Sequence, residues 1–343
     1  MRAAVIHGSG DVRIDNVPDP KIRDATDVIV RVLCSAICGG DLPRYLSMPT
    51  EQAGGRMGHE FIGTVEDVGT DVVRLKPGDL VISPSTWCDN TCEFCAEGLH
   101  TSCSRGGVWG YGDADGAQGE ALRVPFADGT LIKLPVPVDS ALLPSLLTLA
   151  DVFSTGHHCA LVAGVTRDTS VTVIGDGAVG LCAVLEAKRL GAQKIILMGR
   201  HRDRTDLGRT FGADWVIPER GVAGVTRVRD IVVSGTDTVL ECVGTKRALA
   251  TAIGVARAGG TVSRVGMPQY SEGPIGEDLW FRNIALVGGV APARAYIEEL
   301  MPDILDGTVD PGRVFDSTIT LDEVPAGYSE MASRQVLKAF VRL

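Results

Sequence analysis

The chain has 343 residues, 45% hydrophobic and 22% charged, a balance that excludes a disordered or fibrous protein and gives room for about two domains. Asp and Glu number 43 against 33 Lys and Arg, and the resulting net charge of −10 argues against nucleic acid as a partner, because nonspecific phosphate binding needs a broad basic surface. No stretch approaches the roughly 18 uninterrupted apolar residues of a membrane span, and residues 1–10 lack a charged start followed by an apolar core, so no membrane partner is expected and the cytoplasm is the expected compartment.

The first third holds short β-branched runs at Asp27 to Leu33, Phe61 to Val68, Gly78 to Ser83 and Ala121 to Val124, separated by turn pairs such as Pro77-Gly78 and Asp128-Gly129. This pattern predicts an irregular, mainly antiparallel β domain. From about Thr169 the rhythm changes to apolar strand, glycine turn and helix, as a doubly wound parallel sheet requires. Strands are expected at Val171 to Ile174, Lys194 to Met198, Thr238 to Glu241, Gly260 to Val265 and Ile284 to Val287, with a helix over Ala178 to Leu190 stopped by Gly191. Near Gly289 the rhythm ends, and Ala295 to Leu305 with Phe315 to Leu343 is expected to return to the first domain. The chain therefore reads as an α/β protein with one domain at 1–153 plus 290–343 and a second at 154–289.

Val171-Thr-Val-Ile-Gly175-Asp-Gly177-Ala-Val-Gly180 places G-x-G-x-x-G between an apolar strand and a helix, the context in which it binds a dinucleotide. Gly175 allows the tight turn, Gly177 lets backbone approach a pyrophosphate, and Gly180 lets helix and strand pack closely. The second strand ends at Gly199-Arg200, followed by His201, Arg202 and Arg204, where an acid would hold a ribose 2′-hydroxyl. A guanidinium suits a 2′-phosphate instead, so the expectation is NADP, held by Arg200 and Arg204, with NAD as the alternative. S-adenosylmethionine-dependent methyltransferases share the βαβ opening, but Arg200 stands where they place an acid.

Nine cysteines in a long chain expected in the cytoplasm read as metal ligands and buried thiols rather than as a disulfide scaffold. Cys88, Cys92, Cys95 and Cys103 fall within one polar segment, the pattern of a structural zinc loop. A second, dispersed set is Cys38, His59 and Asp151, which together offer sulfur, nitrogen and oxygen to an open catalytic zinc. Cys34, Cys159, Cys182 and Cys242 read as core thiols, and His157 and His158 as packing residues.

Gly58-His59-Glu60-Phe-Ile-Gly63-Thr-Val-Glu-Asp-Val-Gly69, Lys76-Pro-Gly-Asp-Leu-Val81, the cysteine loop, Asp151 with Thr155-Gly156, the glycine turn, Glu241-Cys-Val-Gly244 and Lys338-Ala-Phe-Val-Arg-Leu343 follow one another in order. In this the chain resembles the zinc-dependent medium-chain dehydrogenase/reductase family of the alcohol dehydrogenase type, over essentially its whole length. The resemblance implies a GroES-like catalytic domain and a Rossmann domain. It implies Cys38, His59 and Asp151 as catalytic zinc ligands, Glu60 as a carboxylate able to approach the metal, and Asp41 as the acid that orients His59. It further implies cofactor contacts from Thr155, Ala178, Val179, Gly199, Val265, Gly266, Met267 and Lys338, and a homo-oligomer, dimer or tetramer.

Two departures stand out. Three residues separate Cys88 from Cys92 where the family has two, so either Cys88 or, in family register, Asp89 completes the structural zinc site. Gly40 stands where the family commonly has the Ser or Thr that relays the substrate proton, leaving that task to water, the cofactor ribose or a residue such as Thr155.

The expected activity is zinc-dependent hydride transfer between NADP and an alcohol, aldehyde or ketone. The alternatives are an NAD-dependent polyol or threonine-type dehydrogenase, and a nonenzymatic dinucleotide-binding protein on the same fold. Substrate identity rests on loops, among them 43–49, 108–111 and the segment around Trp280, that spacing alone does not assemble.

Overall fold

The structure is a computed structural model and describes residues 1–48, 54–112 and 114–343, so the loop expected at 43–49 ends, at Pro49, outside the described residues. Contacts divide the chain into two units, Met1–Asp151 with Pro292–Leu343, and Val152–Ala291. Sequence reasoning set the joins at 153/154 and 289/290. The first join lies where the helix Val152–Val162 begins, and the second lies at Pro292, the N-cap of the helix Ala293–Leu305.

In the first unit the strand Val28–Ala36 is apolar at nearly every position, which a strand covered on both faces requires. It pairs antiparallel with Phe61–Val68, Ala121–Val124 and Ala339–Arg342, so segments far apart in sequence meet on one strand. Leu80–Ser83 and Ile132–Lys133 extend the sheet beyond Phe61–Val68, and Ser317–Thr320 lies beyond Ala339–Arg342 as the one parallel pair. The expected strand at 78–83 starts only at Leu80, because Gly78 is spent in a turn with φ +91°. Val28, Val30, Phe61, Val81, Trp109 and Leu122 form its core. A smaller sheet joins Arg2–Gly8 to Asp11–Asn16 and Gly55–Arg56.

The second unit is a six-stranded, wholly parallel sheet in the order Trp215–Ile217, Lys194–Met198, Ser170–Ile174, Thr236–Glu241, Ala256–Arg264, Ala285–Gly288. Numbered along the chain this is 3-2-1-4-5-6, the dinucleotide-binding Rossmann order. Trp215–Ile217 escaped the sequence reading: it is only 3 residues long, and Trp215 is exposed. The helix Ala178–Arg189 stops as expected, with Gly191 at φ +80°. Ile174, Ile196, Val239, Leu249 and Val262 fill the core. Cys34, Cys159 and Cys182 are buried as expected, whereas Cys242 is only half-buried. Among the described residues no helix is long and apolar enough to cross a membrane.

Asp237 ties two central strands together. Its Oδ2 accepts from the Ser170 backbone N–H at 2.8 Å and hydroxyl at 2.6 Å, and Oδ1 accepts from Arg257 Nε at 2.6 Å. Burial alone would raise its pKa, but the Ser170 and Arg257 hydrogen bonds outweigh it and hold the carboxylate below the ordinary 3.8. A lowered folded-state value means the stabilisation is fully present above the unfolded pKa and is lost as pH falls. Asp237→Ala should therefore cost about 1–3 kcal/mol of unfolding free energy at neutral pH. Urea titrations should show the gap between variant and parent narrowing in acid; a gap that stays constant would contradict this account.

Candidate functional site

The first unit draws three elements to one point. Cys38 follows the strand Val28–Ala36 and caps a short 3-10 turn, its Sγ accepting from Gly40 N–H at 3.3 Å while Asp41 Oδ2 accepts from Cys38 N–H at 3.0 Å. His59 enters just before Phe61–Val68, after Gly58 at φ +90°, where a Cβ would collide with Gln118 at 2.6 Å. Asp151 ends the 3-10 turn Thr148–Ala150. Its Oδ2 lies 3.2 Å from Cys38 Sγ and 3.0 Å from His59 Nε2. Together with Glu60, the donor atoms of these residues all fall within 4.8 Å of one another.

Those donors suit a divalent cation better than one another. Burial and the neighbouring Asp151 carboxylate push the Cys38 thiol up to about 12. Burial would lower the His59 pKa, but Asp41, Cys38 and the hydrogen bond to Asp151 raise it well above the ordinary value. Desolvation of the half-buried Asp151 would raise its pKa, yet its hydrogen bond and charge pairing with His59 hold it below the usual carboxylate range. A dication bound there would displace the protons of the thiol and the imidazole. Glu60 Oε2 is buried with no hydrogen-bond partner. Sulfur, imidazole and carboxylate in one buried cluster fit zinc.

A supporting shell surrounds the cluster. Asp41 Oδ1 lies 3.0 Å from His59 Nδ1 and fixes the ring, leaving Nε2 to face Asp151. Tyr328 donates to Gln118 Oε1 at 3.0 Å, and Gln118 donates to the Ala36 carbonyl at 2.9 Å. Sequence reasoning missed this pair, since nothing in the spacing of positions 118 and 328 marks them. Lys338, which the resemblance places among the cofactor contacts, is buried with its ammonium 2.6 Å from Glu60 Oε1. Two desolvated groups of opposite charge hold each other, so the first electrostatic role of Lys338 is toward the metal cluster.

The cysteine loop resolves differently from its thiol count. Asp89, Cys92, Cys95 and Cys103 present one donor atom each within 4.8 Å of one another. Cys88 points elsewhere, donating to the Gly129 carbonyl at 3.6 Å and grouping with Cys95 and His100. Asp89 Oδ1 accepts from the Thr91 and Cys92 N–H groups, and Oδ2 from Arg105 Nε at 2.7 Å. Backbone donors from Cys95 and Ser104 lower the Cys92 thiol to about 7, readying it as a thiolate ligand.

In the second unit the glycine turn sits where the strand order reverses, the usual place for a dinucleotide. Gly175 has φ +115°, a Cβ on Gly180 would lie 2.0 Å from the Gly175 carbonyl, and a Cβ on Gly177 would meet nothing within 4 Å. The turn thus packs tightly on one side and leaves open backbone on the other, a cradle that fits a pyrophosphate. Ala178 and Val179 open the helix. Gly199 and Arg200 follow the strand Lys194–Met198, Arg200 exposed and Arg204 half-buried. Thr155 lies half-buried on Val152–Val162, and Val265, Gly266 and Met267 follow Ala256–Arg264, with Met267 exposed. His157 faces Glu186 at 2.9 Å, both buried, and is not a candidate ligand. Asp176 lies within the glycine motif at a position whose spacing gives it no role of its own.

A Rossmann sheet with its glycine cradle and a Cys-His-Asp cluster on the same chain define a dinucleotide-dependent, metal-assisted oxidoreductase. Residues 24–136 match the alcohol dehydrogenase GroES-like domain, and residues 178–306 match the zinc-binding dehydrogenase domain. The chain belongs to the zinc-dependent medium-chain dehydrogenase/reductase family of the alcohol dehydrogenase type. It is 31% identical over 350 residues to zinc-type alcohol dehydrogenase B of Aspergillus flavus, covering 100% of this chain and 81% of that one. It is 34% identical over 341 residues to a probable zinc-binding alcohol dehydrogenase of Mycobacterium tuberculosis, covering 97% and 86%. Among solved structures, an alcohol dehydrogenase from Thermus sp. ATN1 superposes with a TM-score of 0.94 at 34% identity over 100% of both chains.

The grouping at the cysteine loop points to Asp89 rather than Cys88 as the fourth donor. After dialysis against a chelator, Asp89→Ala should lose the loop zinc, while Cys88→Ala keeps it and Asp89→Cys restores it, read as metal per chain by mass spectrometry. Loss in the Cys88 variant with retention in Asp89→Ala would reverse the assignment.

Proposed function

We propose that this zinc-dependent oxidoreductase transfers hydride between a nicotinamide dinucleotide and an alcohol or its aldehyde or ketone. The observation that carries this reading is the convergence of Cys38, His59 and Asp151 on one buried point of a chain that also bears a dinucleotide cradle. Zinc held there supplies Lewis acidity toward the substrate oxygen. The residues of the chain do the rest: Asp41 holds the His59 ring, Glu60 and Lys338 set the charge behind the cluster, and Gly175, Gly177 and Gly180 seat the dinucleotide. A binding protein without turnover has no need of such a cluster.

Gly40 leaves the proton without the family's usual hydroxyl. A Cβ there would meet Cys38 Sγ at 3.6 Å and His59 Cε1 at 3.9 Å, ordinary contacts, so the glycine is not forced by packing. Water, a ribose hydroxyl or Thr155 passes the proton instead. Arg200 and Arg204 support NADP as the dinucleotide. The carboxylate of Asp176, close to the backbone of Arg200, favours the NAD reading, with which a polyol or threonine-type activity stays compatible.

We also infer a homo-oligomer. The strand Ala285–Gly288 is an unpaired edge of the parallel sheet, and Trp280 and Phe281, 72% and 69% exposed, lie just before it. All nine cysteines are free thiols, as a reducing cytoplasm would keep them.

Two measurements test these readings. With the zinc-loaded protein and a panel of short alcohols and aldehydes, Asp41→Asn should lower kcat/KM by about 10–100-fold, since the ring it orients is a metal ligand. Turnover unchanged in that variant, or no turnover by the parent on any of the panel, would count against the mechanism. In multi-angle light scattering the parent should run above monomer mass and a Trp280→Asp, Phe281→Asp double variant should fall toward it.

A further inference from the structure

The glycine turn carries an acid that no glycine rule explains. Asp176 is 6% exposed, and its Oδ2 accepts three hydrogen bonds: from Arg200 N–H at 2.7 Å, from His201 N–H at 2.9 Å and from His201 Nδ1 at 2.9 Å. None of the three reaches Oδ1. Two successive backbone donors and an imidazole at the end of a strand make an anion nest, the device a protein uses for a phosphate. Here the nest is filled by the chain's own carboxylate.

The neighbouring strand end has been shaped around it. A Cβ on Gly199 would lie 2.7 Å from Asp176 Cβ and 3.0 Å from Oδ2. No side chain, acidic or otherwise, fits at position 199, because Asp176 already occupies that volume. A Rossmann domain that binds NAD places an acid at the end of its second strand to receive the ribose hydroxyls. In this chain the carboxylate reaches that place from the first turn.

We propose that Asp176 is the residue that selects the dinucleotide, receiving the adenosine ribose hydroxyls on Oδ1 and excluding a 2′-phosphate, so that the chain prefers NAD to NADP. This rests on the oxidoreductase reading given above and replaces the NADP expectation drawn from Arg200 and Arg204. Burial would push the Asp176 pKa up, but the donors from His201 and Arg200 hold it down, so the carboxylate stays charged at neutral pH. A 2′-phosphate would then meet a fixed negative charge and find the backbone donors of the nest already taken. The exposed guanidinium of Arg200 remains in solvent, where its attraction for a phosphate is weakened by water and salt.

Dissociation constants of NADH and NADPH, measured by fluorescence titration of the zinc-loaded protein, test the proposal without turnover. The parent should bind NADH more tightly than NADPH by about a hundredfold, a repulsion of the size like charges in a site impose. Asp176→Asn, which keeps the shape and removes the charge, should shrink that ratio at least tenfold by tightening NADPH. Arg200→Ala, at an exposed position, should change NADPH affinity less than threefold. A parent that prefers NADPH, or a tenfold loss of NADPH binding in Arg200→Ala, would overturn the role of Asp176 and leave the oxidoreductase reading standing. Failure of the parent to bind either dinucleotide would overturn both.

Discussion

The arrangement of the first unit follows from one electrostatic constraint. A thiol, an imidazole and the carboxylates of Asp151 and Glu60 lie, buried or half-buried, within 4.8 Å of one another, and so many acidic groups shielded from water call for a cation. Lys338 balances Glu60. The rest of the compensation falls to a divalent ion. Each backbone device nearby serves to hold these side chains in spite of their mutual cost: the capped turn at Cys38, the left-handed glycine before His59, the 3-10 end at Asp151.

Much of this was legible in the sequence because its physical causes are local. The strands at 61–68, 121–124 and 194–198 were readable from apolar runs bounded by turn residues, and the helix from 178 from its glycine turn and its stop at Gly191. The metal cluster was legible only through resemblance, since nothing local in Cys38, His59 or Asp151 says that they meet. The second unit lost its shortest strand to the same logic: three residues beginning with an exposed tryptophan leave no periodic trace.

At three places geometry beyond the local pattern adds what the sequence alone does not carry. Thiol chemistry points to Cys88 and family register to Asp89, and the fold separates their side chains: Asp89 groups with Cys92, Cys95 and Cys103, while Cys88 groups with Cys95 and His100 and donates to the Gly129 carbonyl. The run Arg200, His201, Arg202, Arg204 reads as positive charge. Only the fold brings Asp176 back across 24 residues to sit among their backbone groups. Lys338 sits two positions before residues paired with the first unit's central strand, which carries it inward to Glu60.

The strand Val28–Ala36 joins neighbours from opposite regions of the chain, and this has a consequence for biosynthesis. Val152–Ala291 is continuous, and every strand of its sheet is available once that stretch has left the ribosome. The central strand of the first unit must wait for Ala339–Arg342, made hundreds of residues after it. During translation the continuous unit can therefore settle while the sheet of the first unit still lacks one of its strands.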